Sequence, residues 1–129
     1  MRFAQHVDVP AWIPFELGGT LGQRGSENGT IILDEEIPHC SRITLEQDAG
    51  TIPIPFAITV GVYELLVHTL FFGTQKAALQ EYEAVKKEVD AIVEAILIYE
   101  SSDDPDVEGP AKRRMYALAK RLVESHQGQ

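Results

Sequence analysis

The feature that most narrows the fold is a change of hydrophobic period at Gly73-Thr74. Before it, side chains alternate. Ile31, Leu33, Glu35 and Ile37 fall on one face of an extended chain and Thr30, Ile32, Asp34 and Glu36 on the other, and past residue 41 Ile43 and Leu45 alternate with Arg42, Thr44 and Glu46. After it, Tyr82, Val85, Val89, Ile92, Ile96 and Tyr99 recur at steps of three and four, while Lys76, Glu81, Glu83, Lys86, Lys87, Glu88, Asp90 and Glu94 fill most of the remaining helical surface. Strands followed by helices predict an α+β fold. The expected form is an antiparallel sheet of about four strands joined by hairpins, with a long helix on one face and a shorter C-terminal helix.

Local signals place the element ends. Pro38-His39-Cys40-Ser41 is the expected loop of a first β-hairpin, since Pro38 can neither donate to a ladder nor continue a central strand. Asp48-Ala49-Gly50 marks a second turn. The run from Ile54 to Phe72 is too long for an average strand, and Gly61 is the expected break, giving strands near 55–61 and 64–72 within a sheet spanning 30–72. Residues 62–72 suit a helix as well as a strand, so their state stays open. Thr74 is the expected N-cap of a helix over 75–99. The acidic stretch 101–110 has the composition of a linker, and a second helix is expected over 111–125 with Met115, Leu118, Ala119 and Leu122 on one face. Residues 1–29, with prolines at 10 and 14 and glycines at 18, 19, 22, 25 and 29, are expected to form an irregular arm lying against the core through Phe3, Trp12, Ile13, Phe15 and Leu17. At 129 residues the chain holds one hydrophobic core, hence a single domain 1–129.

Charge and cysteine content narrow the function classes. A net charge of -9 repels nucleic acid, and the basic segment 110–129 is better explained as an answer to the acidic body than as a nucleic-acid patch. Cys40 stands alone, so no intramolecular disulfide can form, and no apolar stretch with basic flanks opens the chain; both favour the cytoplasm. Between Ile52 and Gly73 the only formal charge is Glu64, but the prolines at 53 and 55 and the central Glu64 and His68 make this segment core rather than a membrane span.

Two groups of residues have the chemistry of a site. Asp34, Glu36 and His39, with Glu35 and Cys40 beside them, offer carboxylate, imidazole and thiolate at a hairpin tip, the donors a transition metal takes. The competing account is an acidic strand edge exposed to water, which blocks edge-to-edge association. His68 and Glu64 are the candidate catalytic acid-base pair: neighbours one turn apart on a helix, but about 13 Å apart along a strand. A histidine held in the core by local partners is the alternative. The glycines of 18–29 do not form a phosphate loop, no nucleophile elbow is present, and no motif names a cofactor.

Ile52 to Phe72 is apolar on both faces, whereas one long helix covers a single sheet face. The second face must be covered by the arm, the short helix or another subunit. The expected function is therefore a non-catalytic cytoplasmic interaction domain that self-associates, with a C2 homodimer the simplest form, or binds a protein partner. The alternative is a small enzyme or a ligand- or metal-binding protein that uses His68, Glu64 or the Asp34, Glu36 and His39 group.

Overall fold

Alternation over residues 30–72 is realised as a meander. In the computed structural model, which describes residues 7–49 and 54–126, strands β1 (Ile13–Pro14), β2 (Thr30–Ile37), β3 (Ser41–Gln47), β4 (Phe56–Val62) and β5 (Leu66–Phe72) pair antiparallel in chain order. Helices α1 (Gln75–Ser101) and α2 (Pro105–Ser125) follow. The first six residues of the expected arm, with Phe3, then Gly50 of the second turn with residues 51–53, and the last three residues of the chain lie outside the described residues.

The fold is the expected α+β, with five strands instead of about four. The additional strand is a two-residue piece of the arm, Ile13 opposite Glu36 and Pro14 opposite Glu35, at a sheet edge where proline's missing N–H does no harm. Residues 66–72 are strand and not helix, because pairing with β4 satisfies their backbone from Val62↔Leu66 through Phe56↔Phe72. The break in the long apolar run falls just past Gly61, at Tyr63–Leu65, where Glu64 adopts a left-handed φ of 66°. The first hairpin is built alike: its loop is Pro38–Cys40, Ser41 already pairs with Ile37, and His39 has a φ of 65°.

Packing selects one face. Ile37, Ile43, Leu45, Ile58, Val60, Val62, Leu70 and Phe72 bury against Tyr82, Val85, Val89 and Ile92 of α1, the stripe expected from the helical period. A bulge between Ile31 and Leu33 breaks the alternation of β2, so Ile31 sits opposite Glu46 and faces away from α1. Helix α2 packs along α1 and not on the sheet, burying Val107, Ala111, Met115, Ala119 and Leu122. None of the helices among the described residues is long and apolar enough to cross a membrane.

The acidic run 101–110 is not a linker. Only residues 102–104 separate the helices, and α2 starts at Pro105 rather than at 111. The Asp104 carboxylate caps it by accepting from the Asp106 amide at 2.9 Å, Pro105 takes a first-turn position where no N–H is needed, and Asp106 and Glu108 sit where the helix dipole favours acids. A helix N-terminus and a linker share this composition.

Candidate functional site

The second face of the sheet receives the arm. Trp12 is anchored on α1, its indole Nε1 donating to Asp90 Oδ1 at 2.8 Å, and the chain then crosses through β1 to the other side, where residues 15–29 fold over β2 and β3. Two buried carboxylates hold this loop in place.

Asp34, 4% exposed, is the first. It accepts from Thr20 Oγ1 at 2.8 Å, from Thr44 Oγ1 at 3.1 Å, and from Arg42 Nε and Nη2 at 2.9 and 2.6 Å. Register brings the group together: Thr44 is directly opposite Asp34 across the β2–β3 ladder, and Arg42 is its diagonal neighbour on the same face. The guanidinium also stacks on Phe15, 3.7 Å from the ring centroid. Its hydrogen bond to Asp34 raises the Arg42 pKa further, so the guanidinium stays charged, and the fork geometry with two added hydroxyls offsets the cost of burying the contact.

Glu46 is the second, and it is fully buried. Its oxygens accept from the Gly29 amide at 2.9 Å and from the Glu27 amide at 3.2 Å. A Cβ on Gly25 would overlap this carboxylate, and one on Gly29 would overlap the Gln47 carbonyl, so glycine at both positions lets the loop approach the sheet. Backbone bonds from Gly25 N to Gly29 O at 2.9 Å and from Gly22 N to Ile31 O at 2.8 Å complete the cover. The glycine-rich segment is thus a tied-down flap over half of the sheet.

The other half stays open as a cleft of about 840 Å³ between the loop at Thr20–Ser26 and the β4–β5 turn. Thr44, Thr59 and Gly61 form part of its lining. Tyr63, Glu64 and Val67 line it from the β4–β5 hairpin; Tyr63 and Val67, 79% exposed, are presented to solvent together with Leu21 of the loop. Burial first and the neighbouring Glu36 second push the Tyr63 phenol above its ordinary pKa, so it remains a neutral hydrogen-bonding group.

The residues expected to form sites are dispersed. Asp34 is committed to Arg42 and the two threonines; it is not on a solvated strand edge, since β2 lies between β1 and β3. Glu36 shares its face beside Tyr63, while His39 is exposed at the hairpin tip. Burial, with Glu100 adding to it, raises the Cys40 thiol pKa. Among the described residues, no group of three or more His, Cys, Asp or Glu side chains is placed to hold a metal ion. Glu64 is exposed in the turn and lines the cleft, whereas His68 lies in β5 on the α1 side of the sheet, in step with Leu66 and Leu70, with its Nε2 buried and unpartnered. The sheet separates the two.

Arg42, Thr20, Glu46 and Gly25 escape sequence reasoning because their partners lie far along the chain and follow no period. A further buried group closes the helical layer: His126, at the end of α2, has Nε2 2.9 Å from Glu88 and Nδ1 3.2 Å from Glu81 of α1. The second contact is an ion-pair distance without hydrogen-bond alignment.

No known protein family, no curated protein and no solved structure matches the chain.

Proposed function

We propose that the chain is a non-catalytic interaction domain of the cytoplasm, one that self-associates or holds a protein partner against the cleft face of its sheet. The observation that carries this reading is the division of that face. Asp34 and Glu46 fix the flap over β2 and β3, leaving the β4–β5 half uncovered with Leu21, Tyr63 and Val67 presented to solvent. Rigid aromatic and aliphatic anchors beside a preorganised wall are what protein partners bury.

Catalysis finds less support. Among the described residues, the cleft lining contains no histidine, cysteine or lysine; its charged side chains are Glu64, Arg24 and Arg42, and the Arg42 charge is already engaged by Asp34. The single thiol of Cys40 favours a reducing compartment, and the charge of -9 disfavours nucleic acid.

Affinity capture from soluble extract, run in parallel with the wild type and a Leu21→Asp, Tyr63→Asp double variant, tests the cleft. A protein retained by the wild type and lost by the variant, with equal melting temperatures, is expected. Equal retention, or no partner together with a monomeric wild type, overturns the proposal.

One observation favours a second reading. The cleft volume of about 840 Å³ lies in the range of roughly 300–1,000 Å³ common to small-ligand sites, and Thr44 and Thr59 supply hydroxyls to its lining. Native mass spectrometry of the untagged protein separates the two: mass retained beyond the polypeptide supports a ligand site, and its absence supports protein docking.

A further inference from the structure

The two edges of the sheet are unequal. The β1 edge is two residues long and contains Pro14, and both features block strand addition. The β5 edge is seven residues long, Leu66–Phe72, and has none of the usual protections: no charged side chain, no proline, and an unbroken register with β4 that contains no bulge. Among the described residues no strand lies beyond β5, and no loop backbone hydrogen-bonds to it from outside.

From this we infer that β5 pairs with β5 of a second copy in a C2 dimer whose sheet is continuous across both chains. The inference rests on the interaction reading above and assigns self-association its surface.

Self-complementarity favours the second copy over a foreign strand. Thr69 is the central residue of β5, so antiparallel pairing centred on it aligns the full strand. Val67 then meets Phe71 of the other copy on the cleft face, while Leu66 meets Phe72 and His68 meets Leu70 on the α1 face. No cross-strand pair contains an Asp, Glu, Lys or Arg side chain. Val67, 79% exposed in the single chain, gains a cover. The asymmetry of the edges also fixes the stoichiometry. With β1 blunted, pairing at β5 consumes the one open edge and growth stops at two, so the contact closes and does not propagate into a fibre.

Sedimentation of the wild type and of Thr69→Lys and Thr69→Glu, singly and mixed, provides the test. Either substitution sets like charges face to face at the two-fold axis. Wild type is expected to be dimeric at concentrations on the order of 10 µM, each variant to dissociate with Kd raised at least about 100-fold, and the equimolar mixture to re-form a dimer through a Lys–Glu pair. If either Thr69 variant fails to fold, Val67→Lys, at a side chain already in solvent, is expected to weaken the dimer in the same direction. A monomeric wild type overturns the inference, as does a dimer untouched by these substitutions. The latter result removes β5 as the surface yet leaves the interaction reading standing, and an intact dimer in the Leu21→Asp, Tyr63→Asp variant separates β5 pairing from docking in the cleft.

Discussion

On the α1 face of the sheet, Ile43, Leu45, Ile58, Val60 and Leu70 meet a helix stripe through non-directional apolar contact; on the other face, a loop is held by two carboxylates that accept from named donors. The first arrangement spreads its free energy over many side chains and couples everything it touches. The second concentrates it in Asp34, Glu46 and the few groups around them. The difference teaches that one sheet can separate stability from shape: the α1 face carries the apolar core and the flap gives the cleft its walls, which predicts that the flap opens without unfolding the rest.

The largest effect should come from the apolar side. Ile58→Ala removes buried volume between β4 and α1 and is expected to cost about 2–5 kcal/mol in urea denaturation, with sheet and helix signals lost in one transition. A loss below about 1 kcal/mol would mean the helix face is looser than its burial implies.

Next in size is the flap. In Gly25→Ala the new methyl competes with the Glu46 carboxylate, which cannot withdraw without abandoning the Glu27 and Gly29 amides. A cost of about 1–3 kcal/mol is expected, with faster hydrogen exchange confined to residues 22–29 and unchanged protection in α1. If α1 loses protection in step with the loop, the two faces form one cooperative unit and the contrast drawn between them fails.

Tyr82 tests the boundary, because it is a polar group within the apolar face. Its phenol donates to Glu35 Oε1 at 2.8 Å, and Lys86 Nζ reaches the same oxygen at 3.0 Å. Burial, then the bond to Glu35, raises its pKa well above the ordinary tyrosine value of about 10. The neutral form is therefore favoured in the folded chain: the stabilisation is complete below that ordinary value and is lost as pH rises beyond it. Tyr82→Phe is expected to cost about 0.5–1.5 kcal/mol at neutral pH and to flatten the alkaline fall in stability, measured by urea titrations from pH 8 to about 11. An unchanged alkaline limb would assign that fall to other groups.

How far the sequence could be read follows the same division. The stripe Tyr82, Val85, Val89 and Ile92 and the alternation of β2 and β3 are local consequences of burying one face, so they are legible from periodicity. Residues 66–72 are ambiguous because they are apolar on both sides, and only the ladder with β4 decides their state. The bulge at Ile31 and Leu33 departs from the alternation of β2, and the short β1 depends on the arm returning to the sheet, which no local pattern announces. The site was less legible still. Asp34 and His39 have the chemistry of ligands, but Arg42, Thr20 and Thr44 engage the carboxylate, and the Gly29–Glu46 bond that shapes the cleft spans 17 positions of chain. Directional contacts between distant residues leave no period behind.

The smallest predicted effect probes where the flap begins. Glu16 and Leu17 have φ values of 49° and 57°, in the left-handed region that side chains with a Cβ avoid, and Leu17 is 97% exposed, so apolar burial does not compensate for its strained backbone. Yet the turn is needed: it carries the chain from Phe15, stacked on Arg42, to Thr20, bonded to Asp34. Leu17→Gly keeps that path and relieves the clash, at the expense of a more flexible unfolded chain. The two contributions nearly cancel, and a net gain of at most about 1 kcal/mol is expected in urea denaturation, with loop exchange unchanged. A loss of more than about 0.5 kcal/mol would show that Leu17 is covered in solution, and the surface that covers it would then belong to the partner-binding face.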